Sequence, residues 1–494
     1  MNTDSARNTS PFDSVVIGGG FAGASAAICL AEAGARVAVV EARERPGGRV
    51  QSLIDRETGE VIDNGQHLFM GCYEAALRSL RALGSSHLLR RQTALRVPFA
   101  DCATAGGEAA SGAKTFALDA APLSGRAGIA LGLLRLHGLN LRERWNIVRF
   151  AARLQLGVCN VKGKTTAELL RAEKQSPRVI ERLWEPIILA TLNAPVESAA
   201  AALFAAVLRL AFFGGGDASH LLFCATGLDE TLRPLAAWLE ERDCRWISAK
   251  ASQILCENGA ARGVRLNATT TAGEETLFTR HIVSAVPRAP LRKLLSELPD
   301  DQAFFQLASG DALPLGSPSP PYSPILSVYL WFDQEILEED FVALLGARVQ
   351  WVFNRRKLCD APAEIRARFP GHLTLTVSAA DEFEGKAREV VVEECLRELR
   401  HAFPRARHAR LLHSRVIHER QATPLFTPET ERLRPSAATT IQGLTLAGDW
   451  TNTGLPASID GAARSGETAA ALTIAALGLR AESALSVQGR QKSR

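Results

Sequence analysis

Residues 14–49 read SVVIGGGFAGASAAICLAEAGARVAVVEARERPGGR, and their punctuation decides the fold. The β-branched run VVI (15–17) ends in Gly18-x-Gly20-x-x-Gly23, an alanine-rich segment closes at Gly34, and a second apolar run ends at Glu41. This is the order of a strand–turn–helix–strand unit that binds a dinucleotide. Gly18 permits the tight turn, Gly20 lets backbone approach a pyrophosphate, and Gly23 lets the helix pack close to the strand. The open N–H groups at the helix start face phosphate charge. Glu41, 18 residues beyond Gly23, ends the second strand where an acid can bond the adenosine ribose. An acid there, in place of an arginine, disfavours a 2′-phosphate and so NADP. The plain alternative is a glycine turn in an ordinary α/β fold, and the flanking strands and helix weigh against it.

Working outward, Pro46-Gly47-Gly48-Arg49 supplies a second glycine pair and a cation, a combination suited to phosphate. Next comes EVIDNGQHLFMGCY (60–73), a short strand and then the turn Asp63–His67, leading into a helix at 74–83. By itself that turn reads as polar surface with a satisfied histidine. It gains interest from its place one connection after the nucleotide unit.

Residues 91–220 carry helical patterning (121–139, 142–157, 165–173, 177–192, 197–213) with little strand signal. The segments 117–139 and 199–216 are more apolar than a solvated helix needs. Core packing explains them, and so would a wall for a lipid ligand or a surface dipping into a bilayer. An α/β pattern returns with an amphipathic helix from Gly227 to Arg242 and strands in RWISAKASQIL, GVRLN and HIVSAVP (281–287). A further region holds the strands ILSVYLWF (325–332), ARVQWVFN (347–354) and HLTLTVSA (372–379) and a helix from Glu389 to Phe403. The last block, IQGLTLAGDWTNTGLPASIDGAARSGETAAALTIAAL (441–477), is an apolar strand, a polar loop at Gly448-Asp449 and a helix whose start is rich in small residues. A flat ring could lie against such a start, where the helix dipole adds roughly +0.5 charge.

Bulk properties restrict the function. With 57 basic and 53 acidic residues the net charge is +4, too balanced for a nucleic-acid binder, and no base-reading motif is visible. The nine cysteines show no metal-ligand spacing and read as free thiols of a reducing compartment. The start MNTDSARNTSPF has no apolar signal core and reads as a disordered lead-in, and the tail after Leu479 as frayed. The run Ala199–Phe213, broken by Arg209, is too short to span a bilayer.

Taken together, the nucleotide unit with Gly47-Gly48-Arg49, the HIVSAVP strand and LAGDWTNTGLPASIDGAARSG resemble, in that order, the FAD-dependent amine oxidase and carotenoid desaturase superfamily. The resemblance covers nearly the whole chain. Within it, DNGQHLFMGCY with GDWTNTGLPAS is most similar to the hydroxysqualene dehydroxylases of hopanoid synthesis. It implies an α/β, glutathione-reductase-type Rossmann-like FAD domain in three pieces (1–90, 221–290 and 425–494). Between them lie a helical, membrane-facing region (91–220) and a substrate domain of sheet and helices (291–424). It implies that FAD is held by Gly18, Gly20, Gly23, Glu41, Arg43, Gly48, Arg49, Gly448, Asp449 and Ser458, with Gly65, Gln66 and Leu455 near the isoalloxazine. Two positions depart from the usual pattern. Ala251 stands where a valine lies beside the adenine, and Asp460 where a longer acid is common. No cysteine lies near Asp449 to attach the flavin.

The implied reaction removes the hydroxyl of hydroxysqualene with hydride from reduced FAD, and it needs an acid, for which His67 is the first candidate. Trp351 and Phe353 are candidates for cation-facing aromatics. The expected partners are an isoprenoid lipid and the membrane surface, with neighbouring squalene-pathway enzymes; no metal and no nucleic acid are expected. The expected location is cytoplasmic, peripheral on the inner face of the cytoplasmic membrane. Competing readings are a phytoene-type desaturase, a non-catalytic isoprenoid-binding flavoprotein and, as a minor option, amine oxidation. No second nucleotide fingerprint identifies an electron donor.

Overall fold

Five parallel strands, Arg245–Ser248, Val37–Glu41, Ser14–Ile17, His281–Ser284 and Leu444–Leu446, lie side by side in that order. The computed structural model describes residues 12–102, 112–121, 123, 125–267 and 275–479. The expected disorder of the first residues and of the tail falls outside them, apart from Phe12. Val15, Val16, Val37 and Val39 are fully buried, as continuous apolar runs must be in a sheet covered on both faces. The chain passes from Ser14–Ile17 to its neighbour Val37–Glu41 on one side, and a much later strand, His281–Ser284, pairs on the other, so the strand order reverses there. The crevice beyond such a switch point is where open α/β sheets take ligands. Three antiparallel strands, Pro435–Thr439, Ala303–Leu307 and Ala312–Pro314, complete an eight-stranded sheet. The last two lie within the stretch that the sequence assigns to the substrate domain.

A second, seven-stranded sheet runs Leu411–Pro424, Tyr322–Phe332, Gly371–Ser378, Trp351–Asn354, Phe341–Leu345, Arg96–Asp101, Lys114–Asp119. One face, with Leu326, Val328, Leu330, Leu373, Leu375 and Val377, packs on the apolar side of the helix Arg388–Ala402. The other face, with Tyr329 and Trp331, bonds to the stretch that holds Glu60 and Asp63. Residues 91–220 are therefore not all helical: the hairpin 96–101/114–119 extends this sheet. Pro98 lies mid-strand, opposite Ala117, where its missing N–H weakens any local strand signal. Docking on an existing edge supplies what the local sequence does not.

Beyond that hairpin the helices form close to where the periodicity puts them. Capping boxes at Asn140/Glu143 and Thr165/Glu168 open the helices Leu141–Gln155 and Thr166–Ala172. Pro186 removes one helical donor, and the turn before it, Ile180–Trp184, widens to π geometry. Ala201–Val207 and the following turn bury Leu203, Phe204, Leu208 and Ala211, so this apolar stretch is core. All nine cysteines are free thiols.

His281, 5% exposed at the start of its strand, should shape acid stability. Burial alone pulls its pKa from 6.5 down to about 4. Between those values the unfolded chain binds a proton that the folded one refuses, so stability falls as pH drops from 6.5 toward 4. His281→Val should flatten that part of a curve of thermal midpoint against pH.

Candidate functional site

The ends of three parallel strands meet at one place. Gly18 N–H donates to Val40 O (2.8 Å), Ala285 N–H to Ile17 O (2.8 Å) and Ala447 N–H to Ser284 O (2.8 Å). The helix Phe21–Glu32 starts here with Gly20 as its N-cap and no side-chain cap, unlike the helices that Asn140 and Thr165 close. Its first-turn donors are thus left for a ligand. A Cβ on Gly23 would fall 1.8 Å from Gly18 O, so only glycine lets the helix sit this close to the turn. A Cβ on Gly48 would lie 3.1 Å from Gly20 Cα, so the two glycine loops face each other across a cradle with no side chains. Glu41 accepts from Gly19 N–H (2.7 Å) and Arg43 N–H (3.1 Å), and the Arg43 guanidinium donates to Gly48 O (2.9 Å).

The C-terminal block closes the other side. Arg49 donates to Asp449 Oδ1 at 2.5 Å, joining residues 400 positions apart. Gly448 holds φ at +138°, and its N–H donates to Ser465 Oγ (2.6 Å). The residue that ties this loop together was invisible in the sequence. Arg434, 2% exposed, donates to the carbonyls of Leu455 (2.7 Å), Asp449 (2.9 Å) and Thr451 (2.5 Å) and stacks over Phe426. Ser458 caps the helix Ile459–Leu477 through Gly461 N–H (3.1 Å), which occupies its hydroxyl. Asp460, the shorter acid, accepts from Ala76 N–H (3.1 Å) and so caps the helix Glu74–Ala82. Its carboxylate serves packing of the two ends.

Between these sides lies the loop 63–67. His67 Nδ1 is 2.7 Å from Gly65 O. A carbonyl can only accept, so Nδ1 carries the proton and Nε2 is the free end of the ring. Burial lowers the His67 pKa, with Arg49 adding to the effect; Asp63 and the Gly65 carbonyl oppose it without prevailing. The imidazole is therefore neutral at pH 7. Gln66 accepts from Arg355 (3.4 Å), whose guanidinium also donates to Val61 O (2.9 Å). Tyr329 O–H donates to Asp63 O (2.8 Å).

Just before the loop, Glu60 is 7% exposed and takes a two-pronged bond from Arg356 (2.5 and 2.9 Å). Trp331 Nε1 also donates to it, and His372 Nδ1 lies 3.2 Å away. Burial opposes the Glu60 charge, but His372 and Arg356 outweigh it and hold the carboxyl well below its usual range. The loop is thus anchored by buried ion pairs to the helix Arg355–Leu358 and by the Tyr329 and Trp331 hydrogen bonds to the seven-stranded sheet. The glycine loops and the 448–458 block are joined by the Arg49–Asp449 pair, and His67 of the loop 63–67 lies close enough to Arg49 to feel its charge; Trp351 and Phe353 stand on a strand of the seven-stranded sheet. Among the described residues no cluster of metal-ligating side chains occurs.

The chain matches the family model for flavin containing amine oxidoreductase over residues 21–474. It is 30% identical over 466 residues to the hydroxysqualene dehydroxylase of Rhodopseudomonas palustris, covering 93% of this chain and 98% of that protein. It is 28% identical over 459 residues to the hydroxysqualene dehydroxylase of Sinorhizobium fredii, with 93% and 97% covered. An oxidoreductase structure from Methanosarcina mazei superposes with a TM-score of 0.69 at 18% identity, over 92% of this chain and 98% of that one, a likeness of fold.

Arg434→Lys should keep the charge and lose most of the bonds to the 449–455 loop. Each bond from a charged group contributes about 1.5–3 kcal/mol, so the dinucleotide should be held at least tenfold more weakly. The ratio of cofactor to protein after dialysis measures it.

Proposed function

The chain belongs to the flavin-containing amine oxidoreductases, and from that premise we propose that it reductively removes the hydroxyl of hydroxysqualene, giving squalene for hopanoid synthesis. The observation that carries the reading is that the likeness to dehydroxylases runs end to end, so the cradle, the loop 63–67 and the 448–458 block all fall within it. The cofactor is FAD, as the family requires. The residues fit that group: an uncapped helix start and two facing glycine loops suit a pyrophosphate, and Arg49 with Asp449 lies beside them. Reduced FAD, when bound, supplies the hydride.

The protein's own residues must then provide a proton and keep out water. His67 offers Nε2 to the leaving hydroxyl, with the ring orientation fixed by Gly65 O. As a neutral ring it must first take up a proton, so its lowered pKa costs occupancy but makes the protonated form a stronger acid. Loss of the hydroxyl as water then follows protonation of its oxygen. Aromatic rings of Phe341, Trp351 and Phe353, packed with centroids 5.9–6.4 Å apart, give an apolar wall that suits a polyene.

Delivery favours the membrane. At about 0.8 kcal/mol per buried CH₂, a lipid of roughly 30 carbons avoids water by on the order of 20 kcal/mol, so it reaches a protein by way of a bilayer. Among the described residues no helix is long and apolar enough to cross one. The helix Leu141–Gln155 instead has two apolar sides. Ile147, Phe150 and Leu154 are buried, while Leu141 (84% exposed), Trp145 (67%) and, just past its end, Leu156 (76%) line the opposite side. Between Ala121 and Ala167 eight arginines and lysines stand against one acid, Glu143, which is engaged in a capping box. Exposed Arg126, Arg135, Arg142 and Lys162 would meet anionic headgroups while the stripe dips among the acyl chains. This supports a peripheral place on the inner face of the cytoplasmic membrane.

Three outcomes are expected. His67→Gln should retain FAD and lose at least about a hundredfold in turnover of hydroxysqualene to squalene, and wild-type kcat/KM should fall as pH rises through a value below 6.5. Full activity of the variant, followed by mass spectrometry of the product, would remove His67 from the reaction. The pair Trp145→Glu and Leu156→Glu should leave the protein at the bottom of a flotation gradient with phosphatidylglycerol vesicles, where the unaltered chain rises.

A further inference from the structure

The seven-stranded sheet has faces of unlike chemistry. On the face turned away from the helix Arg388–Ala402, Ser327 pairs with Thr376, and Thr376 pairs in turn with Trp351. Residues directly opposite in register share a face, with Cβ atoms about 5 Å apart, so these three make a row across adjacent strands. Ser327 is 1% and Thr376 8% exposed. Ser327 Oγ, Thr376 Oγ1 and Trp351 Nε1 are all shielded from solvent, and none has a hydrogen-bond partner among the described residues. Thr374 Oγ1, two residues along the same strand, is in the same condition. One orphaned hydroxyl in a chain of this size would be ordinary. A contiguous group is not, because each such atom carries a desolvation penalty that native structures avoid.

The position of the row matters as much as its chemistry. Ser327 Oγ lies 3.6 Å from where a Cβ on Gly65 would be, so the row ends at the loop that carries Gln66 and His67. At its other end the Trp351 ring packs with Phe341 and Phe353. Trp351 also borders the apolar cluster that Leu68, next to His67, packs against. A polar row within an apolar wall, beside the candidate acid, suits a greasy molecule with a single oxygen.

We propose that Ser327, Thr376 and the Trp351 indole N–H form the subsite that binds the hydroxyl of the lipid substrate and turns its C–O bond toward His67, an inference that rests on the dehydroxylase reading. The donor inventory fits an alcohol. Serine and threonine hydroxyls can each donate or accept, the indole can only donate, and an alcohol oxygen offers one proton and two lone pairs. A hydrocarbon of the same shape leaves all three groups buried and unpaired. Sites built around a substrate hydroxyl reject analogues lacking it far more strongly than apolar pockets reject an added one. Such a row therefore admits the alcohol and loosens its hold once the oxygen has gone, which favours release of the product.

The test is binding to the oxidised holoenzyme, so that no turnover intervenes, followed by the change in flavin absorbance. Hydroxysqualene and squalene are titrated into the unaltered protein and into Ser327→Ala, Thr376→Val and Trp351→Phe. Ser327→Ala and Thr376→Val should each weaken hydroxysqualene about tenfold, the effect of one hydrogen bond, leave squalene within about twofold, and leave FAD content and spectrum unchanged; Trp351→Phe, which also trims the apolar wall, should weaken hydroxysqualene about tenfold more than it weakens squalene. Equal weakening of both lipids, no change in either, or an altered flavin spectrum with unaltered lipid discrimination would overturn the assignment. Thr376→Val conserves shape and carries the comparison if either of the others proves unstable. A wild-type protein that prefers the alcohol in binding, yet forms no squalene when reduced, would refute the dehydroxylase reading and leave the subsite standing.

Discussion

Two missing methyl groups hold the two ends of this chain together. At Gly23 a Cβ would strike Gly18 O, and at Gly466 one would come within 2.1 Å of Ala22 O. The helix Phe21–Glu32 is thereby seated between its own strand turn and the C-terminal helix Ile459–Leu477 with backbone touching backbone on both sides. Because these contacts are backbone to backbone, no side-chain rearrangement can relieve a substitution, and the cost rises with overpacking. Everything at the site inherits its position from that clamp. It places Asp460 of the C-terminal helix where it can cap the helix Glu74–Ala82.

The second constraint is electrostatic. Glu60, Arg356, Arg355 and Asp63 are all nearly or fully removed from water, and they join the stretch 60–67 to the helix Arg355–Leu358, which follows directly on the strand Trp351–Asn354 of the seven-stranded sheet. Buried ion pairs are poor sources of net stability, since desolvation consumes most of the Coulombic gain. Their effect here is better understood as fixing register. A purely apolar contact would let the loop slide against the sheet, whereas a two-pronged arginine–carboxylate bond with Trp331 and His372 attached accepts one geometry. A loop with a catalytic task needs that definition more than it needs a few kcal/mol.

Local pattern was enough for the nucleotide unit because each glycine there answers a local steric demand, and the spacing records it. It was enough for most helices, whose caps and periodicity are also local. It was not enough for Arg434, an arginine beside a proline with no periodicity to mark it, whose partners lie up to 21 residues along and exist only once the loop has folded. The same holds for the row Ser327–Thr376–Trp351, which comes from three strands and has no meaning in one dimension. The long strand Leu411–Pro424 went unread for a different reason: as an edge, it carries polar and charged residues that break the apolar alternation by which strands are recognised. Asp460 shows the opposite case, where a departure from the family pattern is explained by a neighbour that only the structure reveals.

The partial burial of His67 has a double consequence. Taking the ring out of water lowers its hold on a proton, which works against a general acid at neutral pH. In the proposed reaction, shielding from water would make every remaining dipole count for more and keep water from competing for a positively charged carbon. A wetter site would protonate its histidine more readily and lose the developing cation to hydration. The arrangement around the loop resolves the conflict by dividing the work. The Gly65 carbonyl holds Nδ1, so the ring needs only one exchangeable proton, at Nε2. Asp63, close enough to act on the ring charge, offsets part of the desolvation without bonding to the imidazole. In the proposed reaction such an acid would be weakly populated but strongly donating.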